Sequence, residues 1–259
     1  MAPVFRRDNE LKNDLKRKLK SGAQAYGIWI TIESPLVTEY ISTLGFDYLV
    51  FDTEHSPLDI YQTQTLMQAM RDKGTVPIVR VWWNDLVAVK RALDIGAYGI
   101  VIPWINNKEQ AEMAVKACKY PPKGLRGCGP RRTTFDDPDY LKTANDETLV
   151  IAQIETEEAV DNIASIVAVE GIDVTYIGPV DLSASFGHLG DMTHPDVQSA
   201  IDRVHEASSK AGISSGIHMG AGKTVQDRVR EGYNFITVSS DFELLQSGAL
   251  QALKQIGKT

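Results

Sequence analysis

Eight short apolar runs, rich in β-branched and aromatic residues, recur along the chain, separated by longer amphipathic stretches. They are AYGIWIT (25–31), FDYLVFD (46–52), VPIVRVW (76–82), YGIVIPWI (98–105), TLVIAQIE (148–155), VTYIGP (174–179), SSGIHM (214–219) and FITVSSD (235–241). Most are apolar throughout rather than alternating, which is the pattern of a parallel strand covered on both faces. Residues 84–95, 107–118, 157–169 and 196–211 carry helical periodicity. Gly45, Gly74, Gly96, Gly171, Gly212 and Gly232 fall shortly before the next apolar run, where a left-handed cap ends a helix. Eight βα units in 259 residues, with no break in composition, predict one α/β domain: a single (β/α)8 TIM barrel rather than a doubly wound sheet.

Three segments lie outside that repeat. Residues 1–20 are expected to contain an N-terminal amphipathic helix, with Leu11, Leu15 and Leu19 at helical spacing and the lysines from Lys12 to Lys20 on a solvated face. From Tyr120 to Thr148 an unusually long connection is expected to lie on the active-site side, broken by a short helix around PDYLKTAN. The closing DFELLQSGALQALKQIGKT has the spacing of a helix that packs on its own barrel or on a neighbour.

Charge and cysteine usage narrow the partners. A net charge of −7 argues against nucleic acid and anionic membranes, both of which require basic patches. No run reaches the ~18–20 apolar residues of a membrane span, and the first residues lack the apolar stretch of a signal peptide. Cys118 and Cys128 alone suggest reduced thiols, so a cytoplasmic location is expected.

The chemistry is expected at the C-terminal ends of the strands. There the second run closes in FDTEHSP, carrying Asp52, Glu54 and His55. Arg80 is in the third, Gln153 and Glu155 end the fifth, Asp181 follows the sixth, and His218 closes the seventh. Singly, Arg80 could pair with a surface acid and Asp181 could cap a helix. Together at one rim they make a site. Two carboxylates from neighbouring strands suit a hard divalent cation with oxygen ligands, and no H-x-H or C-x-x-C spacing suggests zinc there. No strand ends in a Schiff-base lysine; only Lys223, in GIHMGAGKT, could reach the mouth. That stretch also imitates a phosphate loop but has five residues between Gly216 and Gly222 instead of four.

FDYLVFDTEHSP, IVRVWWND, ALDIGAYGIVIPWINN, YPPKGLRG, QIET and IGPVDLSASFG resemble the signatures of the HpcH/HpaI family of class II pyruvate aldolases, over about residues 20 to 250. The resemblance implies that Glu155 and Asp181 bind a divalent metal (Mg2+, Mn2+ or Co2+) and that Gln153 and the amides of Val180 and Asp181 contact pyruvate. It implies His55 as general base and Arg80 as the group that stabilises enolate and alkoxide. Its LD-x-G motif assigns Asp94 the task of raising the basicity of the histidine, with Asp52 as the local competitor. The implied reaction is reversible cleavage of a 4-hydroxy-2-keto acid into pyruvate and an aldehyde. The rival readings are decarboxylation of oxaloacetate or a related β-keto acid, and a non-catalytic barrel that binds small acids. Trp104, His218 and Met219 depart from the family pattern, and Arg126, Arg131 and Arg132 either meet an acidic aldehyde or pair locally. A homo-oligomer, commonly a hexamer, is also implied.

Overall fold

The computed structural model describes residues 13–71 and 74–258. Strands β1 (Ala25–Ile30), β2 (Tyr48–Asp52), β3 (Val76–Arg80) and β4 (Gly99–Ile102) form the first half of a closed parallel barrel. Strands β5 (Leu149–Ile154), β6 (Val174–Ile177), β7 (Ser214–His218) and β8 (Phe235–Ser240) complete it, with β8 pairing back onto β1. Helices α1 (Asp14–Lys20), α2 (Pro35–Ile41), α3 (Ile60–Ala69), α4 (Leu86–Asp94) and α5 (Lys108–Cys118) belong to the first half. Next come α6 (Thr133–Asp136), α7 (Tyr140–Glu147), α8 (Glu157–Asp161), α9 (Ile163–Val167) and α10 (Pro179–Ser185). Helices α11 (Pro195–Ala211), α12 (Val225–Glu231) and α13 (Asp241–Gln255) end the chain.

The predicted strands stand within a residue or three of their expected bounds, because a fully buried strand shows itself as an unbroken apolar run. The predicted helix over 157–169 is instead two short helices, α8 and α9, meeting at Asn162. Side-chain caps set the helix starts: Asp59 and Thr224 make capping boxes at α3 and α12, and Asp85 accepts from two amides of α4.

Two apolar layers divide the work. One lies between sheet and helices. The other fills the barrel, where Tyr48 stacks on Phe235 with ring centroids 4.2 Å apart. Leu15 and Leu19 of α1 join this inner layer and close the barrel at the N-terminal ends of the strands. Lys16 on that helix is buried rather than solvated, its Nζ donating to Thr148 O at 2.7 Å and pairing with Asp173 at 2.9 Å. Leu11 and Lys12 lie outside the described residues.

The connection from Tyr120 to Thr148 is not on the active-site side. A chain leaving a helix for the next strand must return to the N-terminal rim, and the contacts put it there. Asn13 Nδ2 donates to Tyr98 O and Glu147 O, at 3.0 and 2.9 Å. Arg126 is fully buried between the rings of Tyr120 and Tyr140, and Arg132 donates to Ile95 O at 2.6 Å, just past α4. These two arginines pair locally and do not meet a substrate in this chain, while Arg131 is exposed on the same segment. The short helix around PDYLKTAN is α7. Among the described residues no helix is long and apolar enough to cross a membrane.

Candidate active site

β2 and β3 deliver the first part of the site. Asp52 and Arg80 are register partners at the strand ends. Arg80 donates from Nε to Asp52 Oδ1 at 2.9 Å and from Nη2 to Oδ2 at 2.7 Å. Its guanidinium lies 4.2 Å from the centre of the Trp29 ring, which rises from β1 inside the barrel. Such a fork on an aromatic face is a geometry that arginine makes and lysine does not. Asp52 Oδ1 also accepts from the backbone N–H of Glu54 and His55, at 3.0 and 3.3 Å, so one carboxylate shapes the turn and aims the guanidinium. The His55 imidazole stands open at the mouth, its side chain 62% exposed, with Nε2 4.0 Å from Glu54 Oε2.

β5 and β6 deliver the acids. Glu155 is almost completely buried. Its Oε1 accepts from Trp104 N at 2.8 Å, and its Oε2 from Gln153 Nε2. To aim that N–H, Trp104 adopts a φ of 55°, a left-handed conformation that costs a non-glycine residue of order 1–2 kcal/mol. Gly178, just after β6, leaves the room Glu155 uses: a Cβ there would stand 2.7 Å from Glu155 Oε2. Asp181 follows on the first turn of α10 and is exposed.

Electrostatics join the two halves. Burial raises Glu155 to about 7, against its hydrogen bonds from Gln153 and Trp104, and the charges of Glu54 and Asp181 push the same way. Burial likewise raises Glu54 to about 7; Arg80 opposes the shift, while Asp52 and Asp181 add to it. Glu54 Oε2 faces Arg80 Nη1 at 3.2 Å yet accepts no well-aligned hydrogen bond, and neither does the buried Gln153 Oε1. Three mutually repelling carboxylates with an orphaned oxygen, and only oxygen donors, fit a hard divalent cation.

Behind them is a neutral network. Tyr176 OH donates to Thr237 Oγ1 at 2.8 Å and meets His218 Nδ1 at 3.0 Å, and Trp29 Nε1 donates to Tyr176 OH at 3.1 Å. Burial, with help from Arg80 and against Asp52, lowers His218 to about 4, so its ring is neutral under Arg80. Lys223 is engaged with Glu231 rather than presented to the barrel mouth.

The structure thus gathers Asp52, Arg80, Gln153, Glu155 and Asp181, with His55 at their edge, but not Asp94. As the last residue of α4, Asp94 lies at the opposite rim, where Arg126 Nη2 donates to it at 2.7 Å. Within this chain it is a structural partner of Arg126. Glu54, which the sequence places in FDTEHSP without a role of its own, is the addition. Its signal was a second acid two residues after Asp52, in the turn at the C-terminal end of β2 that Asp52 braces.

Oxygen donors that suit a hard cation, beside a guanidinium fixed by a carboxylate and an indole, fit a metal-dependent carbon–carbon lyase. Its relatives say which kind. The chain belongs to the HpcH/HpaI aldolase/citrate lyase family, whose profile it matches over residues 25–247. It is 40% identical over 243 residues to the 4-hydroxy-2-oxo-heptane-1,7-dioate aldolase of Salmonella dublin, 92% of each chain being covered. A HpcH/HpaI aldolase/citrate lyase family protein from Burkholderia cenocepacia J2315 superposes with a TM-score of 0.90 at 37% identity, covering 95% of this chain and 99% of its own. The citrate synthase SbnG superposes with a TM-score of 0.83 at 31% identity, over 95% of this chain and 99% of its own.

Proposed function

We propose that Glu155 and Asp181 hold one divalent cation, Mg2+, Mn2+ or Co2+, and that the enzyme reversibly cleaves 4-hydroxy-2-keto acids into pyruvate and an aldehyde. The observation that carries this is the mutual crowding of Glu54, Glu155 and Asp181, which burial alone makes unfavourable and a positive charge relieves. The cation supplies Lewis-acid attraction for the keto and carboxylate oxygens of pyruvate.

The protein's own groups perform the remaining steps. Breaking the C3–C4 bond sends electrons from C3 towards the C2 oxygen. Arg80, already locked by Asp52 and Trp29, offers that oxygen a fixed positive charge with little reorganisation. His55 takes the C4 hydroxyl proton as the aldehyde departs and returns it in the addition direction. Gln153 holds Glu155 in place, and the N–H groups of Val180 and Asp181, left free by the first turn of α10, suit the pyruvate carboxylate. Glu54 Oε2, 3.2 Å from Arg80 Nη1, ties the guanidinium to the acids by charge.

Pyruvate release from 4-hydroxy-2-oxoheptane-1,7-dioate, with oxaloacetate assayed in parallel, tests the reading. Aldol cleavage that EDTA abolishes and Mg2+, Mn2+ or Co2+ restores is expected. Turnover of oxaloacetate alone would make the enzyme a decarboxylase, and no turnover with any metal would leave a barrel that binds small acids. The exposed apolar side chains of α13, Phe242, Leu245 and Leu250 among them, support a homo-oligomer, which light scattering measures.

A further inference from the structure

Two exposed indoles stand at the rim that carries the acids. Trp83 lies in the loop after β3, three residues beyond Arg80, and Trp104 in the loop after β4; they are 53% and 41% exposed. We propose that these two rings form the subsite for the departing aldehyde, and that the preferred aldehydes are uncharged and apolar, aromatic ones above all. The proposal rests on the lyase reading and adds the chemical class of the second product.

The rings make one surface that begins where the acid cluster ends. Their centroids are 6.2 Å apart and their planes 34° apart, within the range of a touching aromatic pair, so they act as one continuous face. The backbone N–H of Trp104 donates to Glu155 Oε1 at 2.8 Å, which joins that face to the acids. The φ of 55° that aims this N–H also sets the direction of the Trp104 Cβ, so the ring and the acid are positioned by the same stretch of backbone.

Gln110, on α5, holds both loops. Its backbone O accepts from Asn84 Nδ2, next to Trp83, at 3.0 Å, and its Oε1 accepts from Asn106 N, two residues past Trp104, at 2.7 Å. Asn106 Oδ1 accepts in turn from the hydroxyl of Thr156, the residue after Glu155, at 2.6 Å. An aromatic face left half open yet braced in this way is preorganised for a ligand, because its loops have little freedom left to lose on binding.

Charge decides the class. The rim loops 31–34, 53–59, 81–85, 103–107, 155–156, 186–194 and 219–224 contain a single lysine or arginine, Lys223, which Glu231 holds. Lys108, the first residue of α5, faces Glu112 at 3.9 Å, and Arg80 is committed to Asp52 and Glu54. The loops after β1, β2 and β3 add Glu33, Glu54, Asp59 and Asp85. An aldehyde with a carboxylate of its own therefore meets acids and no uncommitted lysine or arginine among these described residues, whereas an apolar one covers the indoles.

The test runs the reaction towards synthesis, with pyruvate, Mg2+ and either benzaldehyde or succinic semialdehyde, the acidic aldehyde that 4-hydroxy-2-oxoheptane-1,7-dioate releases. Pyruvate C3 bonds to the aldehyde carbon, and the aldehyde oxygen takes the carbonyl electron pair and a proton from His55. The full chain should favour benzaldehyde in kcat/KM by about 10-fold or more. Trp83→Ala and Trp104→Ala should each cut that preference about 10-fold, mainly through KM for benzaldehyde, and Trp83→Phe should keep it. Trp83→Arg should turn it towards succinic semialdehyde. Exchange of the pyruvate methyl protons in D2O, followed by NMR without any aldehyde, reports on the metal-enolate site separately. No exchange with any metal would defeat the lyase reading and this proposal with it. Exchange together with a wild-type preference for succinic semialdehyde, or with a preference that survives in folded Trp83→Ala and Trp104→Ala, overturns the aromatic subsite alone.

Discussion

Arg80 and Asp52 meet at two points, Nε to Oδ1 at 2.9 Å and Nη2 to Oδ2 at 2.7 Å, and this pairing turns the third nitrogen, Nη1, towards Glu54 at 3.2 Å. A guanidinium fixed at two corners and laid on Trp29 has one direction left to offer a substrate. Lysine can reproduce neither the fork nor the stacking. Arg80→Lys should therefore lower kcat by about 10²–10³, or roughly 2.7–4 kcal/mol of transition-state stabilisation, with a smaller change in KM. Steady-state kinetics of keto-acid cleavage check this, and a change confined to KM would count against the role.

Stability should respond to pH through Glu155. Its folded value of about 7 lies above the ordinary 4.5, so between those limits the folded state keeps a proton that the unfolded chain has released. Raising the pH through that window thus destabilises the metal-free fold, by on the order of 1–3 kcal/mol when complete. Glu155→Gln removes the titration. In EDTA, its melting temperature should overtake the wild type's as pH rises from 5 to 8, and Mg2+ should close the gap for the wild type alone. His218, lowered to about 4, weakens both proteins as pH falls below 6.5 and cancels in the comparison. A pH-independent difference would contradict the crowded acid cluster.

Gly178→Ala places a methyl 2.7 Å from Glu155 Oε2. Glu155 must turn, and its bonds to Gln153 and Trp104 leave it little freedom. Metal affinity should fall about 10–100-fold, as when a supporting group around a ligand is lost, while the protein stays folded. Metal titration with circular dichroism measures both.

Asp94→Asn and Asp52→Asn should separate stability from catalysis. Asp94 partners Arg126, which is wholly buried, so its loss should cost roughly 2–3 kcal/mol, somewhat less than for a fully buried pair because Asp94 is 24% exposed. Its turnover per folded molecule and its pH–rate profile should be unchanged. Asp52→Asn should instead lower kcat by releasing Arg80 and the His55 turn. A shifted pH–rate profile in Asp94→Asn would restore the role that the LD-x-G motif implied.

The barrel was readable because each parallel strand, buried on both sides, declares itself over a handful of consecutive residues. Arg80, Gln153 and Glu155 were readable because they interrupt or end such runs. The length of 120–148 says nothing of the side it takes, which direction decides: a helix-to-strand connection returns to the N-terminal rim wherever it wanders. Asp94 shows the limit of a motif, since the identity of an acid does not name its partner.

By itself, the sequence determined the eight-fold repeat and which residues stand at the strand ends, since both follow from periodicities a few residues long. Only the tertiary structure decided that Glu54 and Glu155, distant in the chain, share one charge environment and that Asp94 belongs to Arg126. Coulomb energies depend on separation and burial in space, and neither quantity is written in the order of residues.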